Sequence, residues 1–541
     1  MSRSGRTALR GAPPAIALLL ALTSNAPLAR GAELLEMNPD SVLTVMIQSI
    51  EGSPLRLSEA QQLATRNATG VRDAEAALHA ARGALRHESG AFDPELFLDA
   101  LRTSVDQPTA SPFAGGDSLP SGASLLRTRQ TRASTGARVT LPLGTELKAS
   151  LLATKTETNS SFSLLNPEFD SDGALSLRQP LLKGFGPGTW SDRSAAAREV
   201  EAAQARYDDV VLGASTDTER AYWDLYAAER DYGVQLMIRD RAKALLEETR
   251  LRGQAGLVGP NAVANAQVFL AEQEQVLLDR EEALDRLSDQ MATLMGQRPP
   301  AGAPRYKPTD EPPQQFTIEP EDSLVSRALR QSREVHGAER RWAAARARQG
   351  GAKWNLLPTL DLLGSVGGKG LSGNAVDFIN PFTGLPDRLR IDGGFGDTWS
   401  QVRSRDFPTW SAGFSLSIPI PLRSGRGDYQ RLRGEADRAE QSLIATRRSL
   451  EERVRAGDRE LRHAAARMES ARTGVTASLE QVRIGILQYR SGRTTAFELV
   501  RLAADLATAQ QRFSQAVVRT AKAVADLKRL TSEGLPPVNP Q

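Results

Sequence analysis

Between Pro187 and Pro260 the chain runs without a proline, and it does so again between Pro421 and Pro536. Proline costs a helix interior about 3 kcal/mol, so intervals this long predict helices. Within the first, Val200, Ala203, Tyr207, Val211, Ala214, Thr218, Ala221, Leu225, Ala228 and Tyr232 recur at steps of three or four. That stripe is narrow and much of it is small, as in rods packed side by side. A helix over 191–252 would extend about 90 Å at 1.5 Å per residue, which no compact globule accommodates easily. Aromatics make up only 5% of the 541 residues, a composition that suits long helices better than an aromatic core.

Each proline-free run follows a strand exit, "SLRQPLLKGFGPG" at 176–188 and "SLSIPIPLRSGRG" at 415–427. The chain is internally duplicated. An offset of 264 lays Ala64, Val71, Ala74 and Glu75 over Ala328, Val335, Ala338 and Glu339, and carries Pro94 and Leu96 onto Pro358 and Leu360. The offset falls to 239 at Pro180 and Pro419, and to 236 at Gly256 and Gly492. One inserted segment between residues 96 and 176 accounts for the fall. A repeat this long is a duplicated half-protein, not a solenoid.

In each half a helical stretch (57–90, 320–350) precedes a strand-rich region bounded by glycine and proline, and a long helical pair follows. The strands alternate with period two. Phe414, Leu416, Ile418 and Ile420 face one way and Gly413, Ser415, Ser417 and Pro419 the other; Val139, Leu141 and Leu143 alternate with Arg138, Thr140 and Pro142. One apolar and one polar face suits a half-buried sheet, or a barrel with lipid outside and water inside. Trp190, Trp354, Trp399 and Trp410 lie in or beside these regions, where an aromatic girdle would stand. Segments 107–136 and 371–397, rich in Gly, Ser, Asn and Pro, read as surface loops.

Arg3, Arg6 and Arg10 precede the apolar run Ala15–Leu22, with small residues near Ala26 and Ala29, the layout of a secretory signal peptide. No later stretch is apolar enough for a membrane helix. The sequence therefore divides into a signal peptide (1–29), an N-terminal segment (30–56), a first repeat (57–298), a proline-rich linker (299–318), a second repeat (319–532) and a tail (533–541). The absence of cysteine excludes disulfides, thiolate metal sites, a thiol nucleophile and N-terminal lipidation. The 68 basic and 65 acidic residues form no basic block, which sets nucleic acid aside.

In this order the residues resemble the TolC-like outer membrane channel proteins of tripartite efflux and type I secretion systems. The resemblance covers essentially the whole mature chain. It rests on the duplication, on the strand exit Gln179-Pro180-Leu181-Leu182-Lys183-Gly184-Phe185-Gly186, and on "ERAYWDLYAAERD" (219–231). The helix–helix junctions "RGQAGLVGPNAVANAQ" (252–267) and "YRSGRTTAFELVRLAADL" (489–506) complete it. It implies a mainly α fold with a membrane β-barrel, in which three chains each give four strands to one 12-stranded barrel that continues into a periplasmic α-helical barrel. "GARVTLPLGTELKASLLAT" (136–154) reads as a further hairpin, external or adding two strands; four strands is the expectation.

The resemblance further implies a homotrimer in the outer membrane of a Gram-negative bacterium, working with a periplasmic adaptor and an inner-membrane pump, without cofactor or catalysis. The strand-to-helix junctions are Pro180, Gly184 and Gly186, and Pro419, Gly425 and Gly427. The adaptor-docking tips are Gly256, Leu257 and Val258, and Gly492, Arg493 and Thr494. The periplasmic gate falls on Tyr489, Glu498 and Arg501. Ala262 and Arg501 stand where the family commonly has aspartates, which makes the entrance less acidic, and Arg493 offers itself as a substitute latch.

No catalytic constellation is present. His79, His87, His336 and His463 are scattered, "GFGPG" lacks the lysine and serine of a phosphate loop, and Glu247/Glu248 with Arg250 read as a solvated helix face. The function expected is a passive exit duct for small molecules driven by an inner-membrane pump; the alternatives are a type I protein secretion channel and a pore-free periplasmic coiled-coil scaffold. Glu498→Ala is expected to lower the cation preference of the channel in planar bilayers, and an unchanged selectivity would remove Glu498 from the pore.

Overall fold

The computed structural model describes residues 39–110, 116–120, 122–313, 315–317, 319–379, 386–491 and 493–532. The segment read as a signal peptide, the tail and Gly492 lie outside them. The duplication is visible element by element. Helices α1 (Pro39–Ser49), α2 (Leu57–Asn67) and α3 (Thr69–Gly90) open the first half; strands β2 (Glu95–Thr109), β4 (Ser124–Thr140), β5 (Glu146–Thr158) and β6 (Leu165–Pro180) follow. Then come the long helices α4 (Pro187–Gln254) and α5 (Pro260–Leu294).

The second half repeats this with α6 (Glu321–Gln331), α7 (Arg333–Asn355), β8 (Thr359–Ala375), a short helix α8 (Phe395–Ser404), β11 (Phe407–Ser417), α9 (Arg423–Arg490) and α10 (Ala496–Leu530). The offset of 264 carries the starts of α2, α3 and β2 onto those of α6, α7 and β8, and 236 carries α4 and α5 onto α9 and α10. Short strands β1 (Ser53–Leu55), β3 (Asp117–Ser118), β7 (Tyr306–Pro308), β9 (Phe378–Ile379) and β10 (Pro386–Asp387) complete the set.

The described residues form two compact units: one of Asp73–Asp209 and Arg333–Ser449, the other of the remaining segments, up to Arg72, Val210–Ser332 and from Leu450 on. In the first, one antiparallel sheet runs β11-β8-β6-β5-β4-β2, with β3 beside β4. The expectation of four strands is corrected to six long ones. Residues 136–154 are no external hairpin: β4 pairs with β2 over Glu95–Thr109 on one side and with β5 over Glu146–Thr158 on the other, and β5 pairs onward with β6. The tight turn Leu141–Thr145, closed by Leu141 N–H to Thr145 C=O at 2.8 Å, joins them. Loops are correspondingly shorter than 107–136 and 371–397 suggested, since strands extend into both and α8 occupies the end of the second.

The helical part of this unit packs through small residues. Ala195, Ala196, Ala202 and Ala205 of α4 and Ala338, Ala344 and Ala352 of α7 are buried. Gly351 leaves no room for a Cβ against Ser191, so the two backbones approach closely there.

The second unit holds the remaining lengths of the four long helices, and its core is larger-grained. Tyr222 and Trp223, from the "YWDLY" segment, are buried among Leu55, Met291, Met295, Val518 and Ala521. The Tyr222 hydroxyl donates to Leu55 C=O at 2.9 Å and accepts from the Thr309 and Asp310 N–H groups at 3.0 Å each. The proline-rich linker is thereby docked: β7 pairs with β1 in parallel, and Asp310 accepts from Leu57 N–H at 2.6 Å. Lys307, on β7, donates to the carbonyls of Ile47, Gln48 and Ile50 and so satisfies the C-terminal end of α1.

One buried carboxyl in this core is only loosely compensated. Glu229 of α4 has Lys307 Nζ at 3.8 Å, and burial pushes its pKa from 4.5 to about 7 against the pull of Lys307 and Arg230. A carboxyl whose folded pKa is raised holds its proton more tightly in the native state, so its stabilising contribution is full below pH 4.5 and is lost as pH rises toward 7. At 1.36 kcal/mol per pKa unit the loss is on the order of 3 kcal/mol. Glu229→Gln should therefore flatten the decline of melting temperature between pH 5 and pH 8; a variant that declines as steeply as wild type would exclude Glu229 as its source.

Candidate functional site

The registers sort the sheet into two faces. One carries Leu96 and Leu98 of β2, Ala137 and Val139 of β4, Leu147 and Leu151 of β5, Leu175 and Leu177 of β6, Leu360, Leu362 and Val366 of β8, and Trp410, Phe414 and Leu416 of β11. These apolar side chains are not covered: Leu96 is 82% exposed, and Trp410 and Phe414 are each 78% exposed.

The opposite face is polar and cross-linked by charge near the helix-bearing end. Arg138 meets Glu95 at 2.7 Å; Arg178 meets Glu146 at 2.8 Å and Asp361 at 2.7 Å. The Arg138–Glu95 and Arg178–Glu146 pairs are exposed and contribute at most about 1 kcal/mol each, whereas Asp361 is buried and depends on Arg178 for its compensation. Helix α8 sits on the apolar face at the far end of β6 and β8. Its Thr398 is buried with its hydroxyl 2.6 Å from that of Ser171, its Phe395 ring lies 4.6 Å from Phe169, and its Gln401 accepts from Leu371 N–H at 2.8 Å.

At the first strand exit Pro180 is the last residue of β6, and Leu181 and Lys183 still donate to Leu360 and Pro358 carbonyls at 2.7 and 3.2 Å. Gly184 and Gly186 then take φ of 83° and 52°, backbone that glycine adopts freely, immediately before α4. The second exit is built differently. Pro419 lies past the end of β11, the left-handed residue is Leu422 at φ 64°, and Gly425 and Gly427 lie within the first turns of α9.

At their other ends the helical hairpins α4–α5 and α9–α10 meet. Ala244, Leu245, Leu246, Ala266, Ala496, Leu499 and Val500 form a buried cluster flanked by Tyr489. α4 ends in a Schellman turn: Gly256 at φ 70° donates to Gly253 C=O at 3.0 Å, and Leu257 N–H reaches Arg252 C=O at 2.8 Å. The same closure recurs in the second half, where Arg493 N–H reaches Gln488 C=O at 2.8 Å. Leu257 is 75% exposed at the first tip, with Val258 half-buried; Arg493 and Thr494 occupy the second.

The Tyr489 hydroxyl donates to the Glu248 carboxylate, which also pairs with Arg252 at 2.6 Å, and Arg252 Nη2 reaches the Tyr489 hydroxyl at 3.4 Å. This three-membered tie joins one hairpin to the other. The reading of Glu247/Glu248 with Arg250 as a solvated helix face holds for Glu247 and Arg250, which pair at 2.9 Å, and is corrected for Glu248, which is half-buried against the second hairpin. An i,i+4 acid–base pair such as Glu248 and Arg252 is ordinarily a solvated face, and its partner across the hairpins is a tertiary fact. Glu498 pairs with Arg501 at 3.2 Å, one turn along the same helix, and Arg493 is exposed. Beside the tips a groove of ≈ 550 Å³ runs between α4, α5 and the start of α10, lined by Leu245, Val258, Ala262, Phe269 and Phe497 among others.

Residues 324–533 match the family model described as outer membrane efflux protein. Over 239 residues the chain is 29% identical to the fusaric acid resistance protein FusA of Burkholderia cepacia, an alignment covering 42% of this chain and 39% of that relative. Among solved structures the fold is similar to the outer-membrane channel OprN (TM-score 0.62, 20% identity, 88% of this chain and 90% of that one). It is also similar to the CmeC outer membrane channel of Campylobacter jejuni (TM-score 0.60, 14% identity, 88% and 86%) and to the open state of the MtrE channel of Neisseria gonorrhoeae (TM-score 0.59, 16% identity, 88% and 89%).

The tip geometry makes a direct prediction. Tyr489→Phe removes the donor of a charge-assisted bond, a loss of about 1.4 kcal/mol or tenfold, and amides at 247–257 and 487–491 should exchange about that much faster in deuterium. Unchanged exchange would mean the apolar cluster alone holds the hairpins together.

Proposed function

We propose that this chain, whose residues 324–533 match the family model described as outer membrane efflux protein, is a passive exit duct. The sheet belongs to a trimeric β-barrel in the outer membrane of a Gram-negative bacterium, and the long helices form a periplasmic tunnel. One observation carries this reading: six strands bear an apolar face that is uncovered outside the patch under α8, and a charged, hydrogen-bonding opposite face. In water such a face is a liability; in a bilayer it is the lipid side of a barrel, with the polar side lining an aqueous lumen. A pore-free scaffold has no use for it.

The hairpin tips, with Gly256, Leu257, Val258, Gly492, Arg493 and Thr494, form the end that a periplasmic adaptor meets, and the adjacent apolar groove supports that role. Tyr489 belongs to the gate through its bond to Glu248, and Glu498 and Arg501 line the entrance as a compensated pair. The Glu498–Arg501 pairing favours weak rather than strong cation preference. Transport work comes from an inner-membrane pump. A small-molecule cargo is supported by the likeness to a relative named for fusaric acid resistance.

The two faces give opposite answers to the same substitution. Arginine on the lipid side of a barrel strand costs up to about 2–4 kcal/mol, whereas lumen positions tolerate it. Phe414→Arg should sharply reduce folded, protease-resistant protein in the outer membrane, while Ser415→Arg, its neighbour on the same strand, should accumulate normally. Equal accumulation of both would overturn the assignment of lipid and lumen sides.

A further inference from the structure

On β2, β4 and β5 the apolar face ends abruptly on the side away from the helices. Going outward, its cross-strand rows read Leu98–Thr135–Leu151, Ala100–Ala133–Ala153, Arg102–Thr131–Lys155 and Ser104–Arg129–Glu157. Leucine, alanine and cation thus succeed one another at matching levels on three adjacent strands. Lys155 lies eight residues beyond Leu147 on β5. That separation is about 26 Å along a strand, or about 20 Å after a tilt of about 40°. The apolar band of a membrane barrel is of similar height, about 25 Å. Cations are costly at the middle of such a band and nearly free at its edge, so this row stands at headgroup level.

The cations outnumber the carboxylates that face them. Lys155 pairs with Glu157 at 2.6 Å, while Arg127, one row further out, is shared by Asp106 and Asp117 at 3.7 and 3.5 Å. Arg102 and Arg129 act on the same Glu157 through space. Both are exposed, and among the described residues neither has a salt bridge of its own. Three cations therefore converge on one carboxylate.

The surface below them is recessed. The alanine row has Leu98 and Leu151 beneath it, and toward β6 it is bounded by Phe169, the cross-strand partner of Lys155, whose ring stands against Phe395 of α8. Small side chains between a leucine step and an aromatic wall leave room for acyl chains, and the open end of that recess is cationic. Helix α8 also carries Trp399, a residue type enriched at membrane interfaces, next to Thr398, which rests on Ser171 at the level of the alanine row.

We propose that Arg102, Arg129 and Lys155 form a binding site for a phosphorylated glycolipid of the outer leaflet, its phosphates on the cations and its acyl chains over the alanine row. This rests on the duct proposed above, in which the helix-bearing end is periplasmic and the opposite end of the sheet is the outer surface. Arginine suits the ligand because its planar fork bonds two phosphate oxygens together. Arg102 and Lys155 stand two strands apart, about 10 Å, so a headgroup with two phosphates engages both.

The unaltered protein, purified from outer membranes and stripped of lipid in detergent, would be titrated with lipid A bearing two phosphates and with the same lipid dephosphorylated. Native mass spectrometry would count the bound species. The phosphorylated lipid should bind about tenfold more tightly or better, since charge-assisted bonds are lost with the phosphates, and inorganic phosphate in large excess should not displace it. Equal binding of the two lipids would overturn the site, and displacement by inorganic phosphate would reduce it to a simple anion site. The combined Arg102→Gln, Arg129→Gln and Lys155→Gln variant should lose the preference, whereas Arg132→Gln, on the opposite face of β4, should keep it. A triple variant that keeps the preference would refute these residues. Fractionation separates the two failures: a chain absent from outer membranes sinks the duct as well, whereas an outer-membrane chain indifferent to phosphate sinks only the lipid site.

Discussion

Backbone pairing across the sheet is the constraint on which the rest of the structure depends. A strand offers one donor and one acceptor per two residues along each edge, and within a sheet the neighbouring strand is the partner that satisfies them. Each of the four inner strands is bonded on both flanks, including the β4–β5 pair that one half of the duplication has and the other does not. Period-two alternation then follows from the pleat, so that holding the ladder in register holds Leu96, Leu175 and Phe414 on one side and Arg138 and Arg178 on the other. A slip of one residue anywhere would exchange the faces.

The helices answer to a different rule. Where α4 lies against α7 the contacts are alanine and glycine, which bring backbones together at little side-chain entropy cost. Further along α4 the packing relies on Tyr222, Trp223 and Met291, and the docked strand β7 closes it. Tyr222 does two things there: its ring fills the core and its hydroxyl satisfies two backbone N–H groups of the linker. Glu229, buried close by, is retained at a cost in stability near neutral pH.

At the hairpin ends the duplication is used twice with different chemistry. Both turns close by the same six-to-one backbone bond, yet the first is followed by Gly259 and Pro260 and the second by Thr495, whose hydroxyl accepts from Glu498 N–H. The tie between hairpins is asymmetric as well, with Glu248 and Arg252 from the first and Tyr489 from the second. Strand exits show the same divergence: glycines make the bend before α4, and Leu422 makes it before α9.

Read alone, the sequence determined the long helices, the duplication with its offsets, the two-faced strands and the glycine turn at residue 256, because proline exclusion, period and φ preference are local properties that a short window displays. It also located the insertion between residues 96 and 176. Only the tertiary structure decided that the insertion adds two strands to the sheet, that the proline-rich linker docks as β7, that α8 lies on the apolar face, and that Glu248 and Arg252 belong with Tyr489. Those outcomes depend on which partner lies across the chain, hundreds of residues away in sequence, and a hairpin, an acidic pair or a polar linker looks the same locally whether its partner is water or protein.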